Sequence, residues 1–139
     1  MPLKLEESER FKFHTLTLNE KKAIIKKLKE MLSGYKEIVL ALIYGSILKN
    51  TPLRDIDVAI YIYGDIDFLD YKFKLDKKLT EKSGYPVDVK ILNNAPPWFI
   101  LEVLETGKVL INRNTLLIEK LYSKALDENW LIQNDSIHQ

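Results

Sequence analysis

Residues 44–63 read YGSILKNTPLRDIDVAIYIY. Gly45 and Ser46 close the apolar run EIVLALIY (37–44), and Asp55 and Asp57 flank Ile56 at the opening of a second run. The first run is continuous and β-rich, which predicts a central strand. The second alternates. Ile56, Val58, Ile60 and Ile62 share one face, and Asp55, Asp57, Ala59 and Tyr61 share the other. Residues i and i+2 of a strand point the same way, about 6.6 Å apart. Two like charges are thereby forced together on a strand that is otherwise apolar. Each raises the other's pKa, and burial raises both. A divalent cation removes that repulsion, and hard oxygen ligands suit Mg²⁺ or Mn²⁺. The plain alternative is a pair of aspartates lining the wet face of an edge strand.

The rest of the chain supplies the setting. Thr17 with Glu20 three residues on makes a capping box, and Ile24, Ile25, Leu28, Met31 and Leu32 recur at helical spacing up to Gly34. The lysines Lys21, Lys22, Lys26, Lys27 and Lys29 read as the solvated face of that helix. A short helix or turn follows Ser46 and ends at Pro52. Phe68, Leu69, Phe73, Leu75 and Leu79 predict a helix stopped by Gly84, and PVDVKILN (86–93) alternates as a strand with Asp88 and Lys90 on one face. Pro96-Pro97 opens a helix running to Thr106, Gly107 ends it, and KVLI is a short edge strand. Residues 114–130 predict a last amphipathic helix, with 131–139 as a fraying tail and 1–16 as an irregular or partly helical lead. The class expected is α/β (α+β), a small mixed sheet covered by helices, as one domain over 1–139.

Composition narrows the function. The 139 residues carry 21 Lys+Arg against 20 Asp+Glu, a net charge of +1, which argues against general nucleic-acid binding. There is no cysteine, so disulfides and thiolate metal sites are excluded. No run is long and apolar enough for a membrane span, and MPLKLEESERFKFH is too charged for a secretory signal, so the expected location is cytoplasmic. His14 and His138 have no partner at metal-ligand spacing.

Two further features bear on the aspartates. Gly45-Ser46 closes a neighbouring strand and opens a short helix. Its N–H groups and hydroxyl suit a phosphate, and glycine lets that phosphate approach the main chain, although a bare Gly-Ser is otherwise a turn. Asp88 lies on a later strand with the same alternation. If that strand pairs beside the first two acids, three carboxylates converge where the Gly-Ser turn points, an arrangement suited to phosphoryl transfer.

The run YGSILKNTPLRDIDVAIYI together with VDVKILN resembles the minimal nucleotidyltransferases of the DNA polymerase β-like superfamily. The resemblance covers Val39 to Ile111, and NNAPPWFILEVLETGKVLI is similar to the stretch that follows the third acid in that group. It implies the nucleotidyltransferase fold. It implies Asp55, Asp57 and Asp88 as catalytic and metal-binding residues, Asp88 assisting the attacking hydroxyl. Gly45 and Ser46 would hold the triphosphate, with Mg²⁺ or Mn²⁺ as cofactor and ATP as substrate. Similar proteins are antitoxins that adenylylate a tyrosine of a small helical HEPN-type toxin, so such a partner is implied, with room for a homo-oligomer. The loop from Ser46 to Asp55 is shorter than in the family, Arg54 stands where serine is frequent, and Ile47 and Leu48 are apolar. Arg54 and Lys49 are candidate phosphate contacts or plain surface charge. Trp98, Phe99 and Leu101 are either helix-core residues or an apolar patch for a partner. Two readings stand beside protein adenylylation: a small-molecule nucleotidyltransferase whose acceptor site needs a second subunit, and a binding module that silences a partner by contact.

Overall fold

The computed structural model describes residues 15–137, with side chains described as far as Asn134. The expected lead falls almost wholly outside the described residues, as do His14 and His138. The chain runs α1 (Leu18–Ser33), β1 (Ile38–Tyr44), a 3-10 turn (Gly45–Leu48), β2 (Ile56–Ile62), α2 (Phe68–Ser83), β3 (Val87–Ile91), α3 (Pro97–Thr106), β4 (Lys108–Asn112) and α4 (Leu117–Ile137). Local chemistry accounts for most of these ends. The Thr17 hydroxyl accepts from the Glu20 N–H at 3.1 Å, and the Glu20 carboxylate accepts from the Thr17 N–H at 3.2 Å. Asp67 caps α2 through the Asp70 N–H at 3.1 Å, and Gly84 ends it in the left-handed conformation at φ 82°. The last helix does not stop at Trp130, as its amphipathic pattern predicts, but continues to Ile137.

The four strands lie in the order β3-β2-β1-β4. β1 pairs antiparallel with both β2 and β4, while β2 and β3 are parallel. A parallel pair needs a crossover, and α2 supplies it. β1 is central and β4 is an edge, as the apolar patterns predict.

Both faces of the sheet are covered. On one, Ile24, Leu28 and Leu32 of α1 and Leu75 and Leu79 of α2 pack on Ile43, Val58, Ile60 and Val89. On the other, Ile100 and Val103 of α3 and Ala125 of α4 pack on Leu40, Leu42, Ala59 and Leu92. The apolar stripe of α2 is narrower than its sequence suggests: Leu69 and Phe73 are exposed. The α1 lysines Lys22, Lys26, Lys27 and Lys29 face solvent, and the Lys21 ammonium donates to the Lys49 carbonyl at 2.7 Å. β3 ends before Asn93, whose side-chain amide takes over the pairing: Oδ1 accepts from the Ile62 N–H at 2.9 Å and Nδ2 donates to the Ile62 carbonyl at 2.7 Å. Among the described residues no helix is long and apolar enough to cross a membrane.

Candidate active site

The sheet register brings the acids together. β2 begins at Ile56, so Asp55 sits one residue ahead of the strand and not within it, as the alternation suggests. Asp57 is inside β2. It lies opposite Tyr44 of β1 on one side and opposite Asp88 of β3 on the other. Neighbouring strands are roughly 4.8 Å apart. Tyr44, Asp57 and Asp88 therefore form a row across three strands at one end of the sheet, on the α3/α4 face. All three, and Asp55, are half-buried.

Gly45 directly follows Tyr44 at φ 83°, in the left-handed region. A Cβ built on it would lie 2.5 Å from Asp57 Oδ2. The glycine is thus required twice, by its backbone and by the carboxylate that leans against it. Sequence assigns Gly45 to phosphate approach, and its contact with Asp57 cannot be read from spacing. Ser46 lies in the 3-10 turn with its hydroxyl unbonded among the described residues, and its carbonyl accepts from the Lys49 N–H at 3.0 Å. Ile47, expected as an apolar oddity of the loop, is buried and pins the turn to the core. Leu53 is buried too, so this short connection is anchored at both ends.

The paired carboxylates titrate apart. Burial, then the charges of Asp88 and Asp55, push Asp57 up to about 6, against a smaller opposing effect of Lys90. Burial also raises Asp88, but hydrogen bonds and charge from Lys72 and Lys90 outweigh it and hold Asp88 below the usual carboxylate value. The Lys72 ammonium lies 2.8 Å from Asp88 Oδ1, and that of Lys90 lies 3.2 Å from Asp88 Oδ2. Lys72 also reaches Asp76 Oδ2 at 2.8 Å, while Asp76 Oδ1 accepts from the Val89 N–H at 2.6 Å. The Tyr44 phenol is pushed well above its ordinary value by burial and by the charges of Asp57, Asp88 and Glu102. Its ring stands edge-on to Phe99 with centroids 5.7 Å apart.

Tyr44, Lys72, Asp76 and Glu102 do not stand out in the sequence. The i,i+4 spacing of Lys72 and Asp76 is an available signal, but a helical pair of that kind is usually only a surface ion pair. Of the expected apolar patch, Phe99 and Leu101 pack against the core and Trp98 alone is exposed.

The sequence places Asp55, Asp57 and Asp88 in one ligand set. Among the described residues no three acidic, histidine or cysteine side chains are grouped so as to hold a metal ion. Asp88 is drawn instead to two ammonium groups. Asp55 and Asp57 do fit a hard divalent cation: they are all-oxygen donors, and burial and the neighbouring carboxylates disfavour a charge on Asp57 that such an ion would neutralise.

Comparison with known proteins bears on the family and the fold. The family model for polymerase β nucleotidyltransferases matches residues 26–116. A candidate protein adenylyltransferase of Methanocaldococcus jannaschii is 33% identical over 100 residues, spanning 67% of this chain and 99% of that protein. Among solved structures, a complex of tri-AMPylated Shewanella oneidensis HEPN toxin with MNT antitoxin holds a chain that superposes with a TM-score of 0.67 at 20% identity, covering 83% of this chain and 91% of that one. A toxin–antitoxin structure with AMP-PNP gives a TM-score of 0.69 at 23% identity, covering 80% and 90%. At these identities the structural matches speak for the fold.

Proposed function

The chain belongs to the polymerase β nucleotidyltransferase family, and we propose that it transfers AMP from ATP to a hydroxyl, a tyrosine being the expected acceptor, of a HEPN-type partner protein. The observation that carries this reading is the register of Asp57 against Asp88 with Gly45 packed on Asp57. It provides two carboxylates side by side on rigid strands and an open main-chain turn next to them, which is what nucleotide chemistry at a phosphate needs. The candidate protein adenylyltransferase of Methanocaldococcus jannaschii supports a protein acceptor, and the fold is shared with chains from a complex of AMPylated HEPN toxin with MNT antitoxin and from a toxin–antitoxin structure with AMP-PNP.

Asp55 and Asp57 would hold Mg²⁺ or Mn²⁺, with Asp88 alongside. When bound, that ion offsets the carboxylate charge and draws electron density from the nucleotide phosphates. Gly45 leaves the main chain accessible, and the Ser46 hydroxyl and the turn N–H groups face the triphosphate. Asp88 orients the acceptor hydroxyl and takes its proton. The acceptor oxygen bonds to the α-phosphorus, the bond to the bridging α–β oxygen breaks, and pyrophosphate leaves. The site is a half-buried surface row, so the acceptor can be a protein side chain. A cytoplasmic location belongs to the same reading.

The test is to incubate the full chain with labelled ATP, Mg²⁺ and a HEPN-type protein. Label should appear on the partner with release of pyrophosphate. Asp88→Asn should slow transfer roughly 10²–10⁴-fold while ATP affinity changes much less, the signature of a group used in the transition state. Partner binding without any transfer would replace this reading by inhibition through contact. Label on a small molecule and none on protein would replace it by the small-molecule reading.

A further inference from the structure

The third acid is tied to α2 in a way the transfer reaction does not require. The Lys72 ammonium bridges Asp76 of the same helix and Asp88 of β3, at 2.8 Å to each. Asp76 is itself bound to the strand, since its other oxygen accepts the Val89 N–H on the outer edge of the sheet. Helix, lysine and strand form a closed brace around Asp88. The contrast with the other i,i+4 pair of α2 is sharp. The Lys74 and Asp70 side chains are 78% and 57% exposed, whereas those of Lys72 and Asp76 are 21% and 22% exposed. A solvated pair contributes little, but a partly buried ammonium shared by two carboxylates is held by both.

Both oxygens of Asp88 are occupied, Oδ1 by Lys72 and Oδ2 by Lys90. A divalent cation seeking Asp88 as a ligand meets an ammonium on each oxygen, which takes one lone pair and repels the ion. Lys90, at 47% exposed and the longer distance, is the looser of the two. Lys72 is anchored.

We propose that Lys72 is the positioning residue of the third acid: anchored on Asp76, its ammonium holds the Asp88 carboxylate and competes with the divalent cation for it. The inference rests on the reading of Asp55 and Asp57 as the cation's site. In the protein without nucleotide, Lys72 keeps Asp88 in its charged form beside Asp57. It also keeps Asp88 aligned for the acceptor hydroxyl.

The probe is Mn²⁺ alone, with free ion measured by electron paramagnetic resonance on the full chain without nucleotide. Lys72→Met should tighten Mn²⁺ binding by about 3- to 10-fold, within the range of couplings between residues in direct contact. Lys72→Arg, which keeps the charge and the bridge, should stay within about twofold of wild type, and so should Lys74→Met, which removes an equal charge from the solvated pair. In an Asp88→Asn background the gain from Lys72→Met should vanish. Lys72→Gln serves the same comparison if the methionine variant fails to fold. An unchanged affinity in the neutral variants, or a gain that persists without the Asp88 carboxylate, overturns the proposal and leaves the cation site standing. Wild-type binding that is absent, or indifferent to Asp57→Asn, removes the cation site and this proposal together.

Discussion

The two faces of the sheet are filled by the same strands under opposite demands. Toward α1 and α2 the fully buried side chains are all apolar, from Leu28, Leu32 and Leu79 to Ile43, Ile60 and Val89. Toward α3 and α4 the apolar packing of Leu40, Leu42 and Ala59 gives way, at one end, to the row Tyr44, Asp57 and Asp88. None of the described residues is both charged or polar and fully buried. The acids are therefore kept half in water, at the rim of a face whose opposite side carries the stability. A continuous apolar face holds the strand register, and the register holds the carboxylates at their spacing. Charge accumulates only where the scaffold behind it can tolerate the repulsion.

That division can be broken from either side. The largest effect should come from the apolar face. Ile60→Ala removes a fully buried side chain and should cost about 2–5 kcal/mol in urea unfolding. The protein that remains folded should bind Mn²⁺ as wild type does. A loss of metal affinity as large as the loss of stability would mean the two faces are not separable.

Two left-handed glycines sharpen the comparison. Gly45→Ala meets Asp57 Oδ2 as well as an unfavourable backbone, and should cost about 1–3 kcal/mol and weaken Mn²⁺ binding. Gly84, at nearly the same φ of 82°, has nothing within 4 Å of the position a methyl group would take. Gly84→Ala should cost about 1 kcal/mol from backbone strain alone, with metal binding retained. Equal metal affinity in the two variants would show that Asp57 does not depend on the space Gly45 leaves.

The smallest effect has the opposite sign. Asp57 titrates near 6 in the folded protein against an ordinary 3.8. The folded state thus keeps a proton that the unfolded chain has already released. Its contribution is fully present below about pH 4 and is lost as pH rises through 6. A two-unit shift corresponds to roughly 3 kcal/mol, which solvent screening of a half-buried group reduces to about 1 kcal/mol. Asp57→Asn should therefore stabilise the metal-free protein by about 1 kcal/mol at pH 7.5 and give no gain at pH 4. Thermal melts in chelator at the two pH values decide it, and a destabilised variant at pH 7.5 would contradict the strained-acid account.

Elements with a strong local signal are legible in the chain itself. The capping box at Thr17 and Glu20, the alternation of Ile56 to Ile62, the glycine stop at Gly84 and the double proline at the start of α3 each act within a few residues. The end of α4 is not legible, because no breaker follows Trp130 and the helix simply continues to Ile137. The exposure of Leu69 and Phe73 is hidden for a related reason: helical spacing shows that they lie on a helix, but not how far its neighbours reach round it.

At the candidate site the division follows the same physics. Sequence alone determined the candidates for the chemistry, since Asp55, Asp57, Asp88, Gly45 and Ser46 stand out by residue type and by periodicity along the chain. Tertiary structure alone decided what each of them touches. The β2–β3 register sets Asp57 beside Asp88, Gly45 makes room for Asp57, and Lys72 reaches from α2 to Asp88. Those contacts join residues 12 to 31 positions apart, and side-chain periodicity carries no information over such distances. Only the pairing of strands and the packing of a helix on their edge bring them within a few ångströms, where charge and hydrogen bonding act.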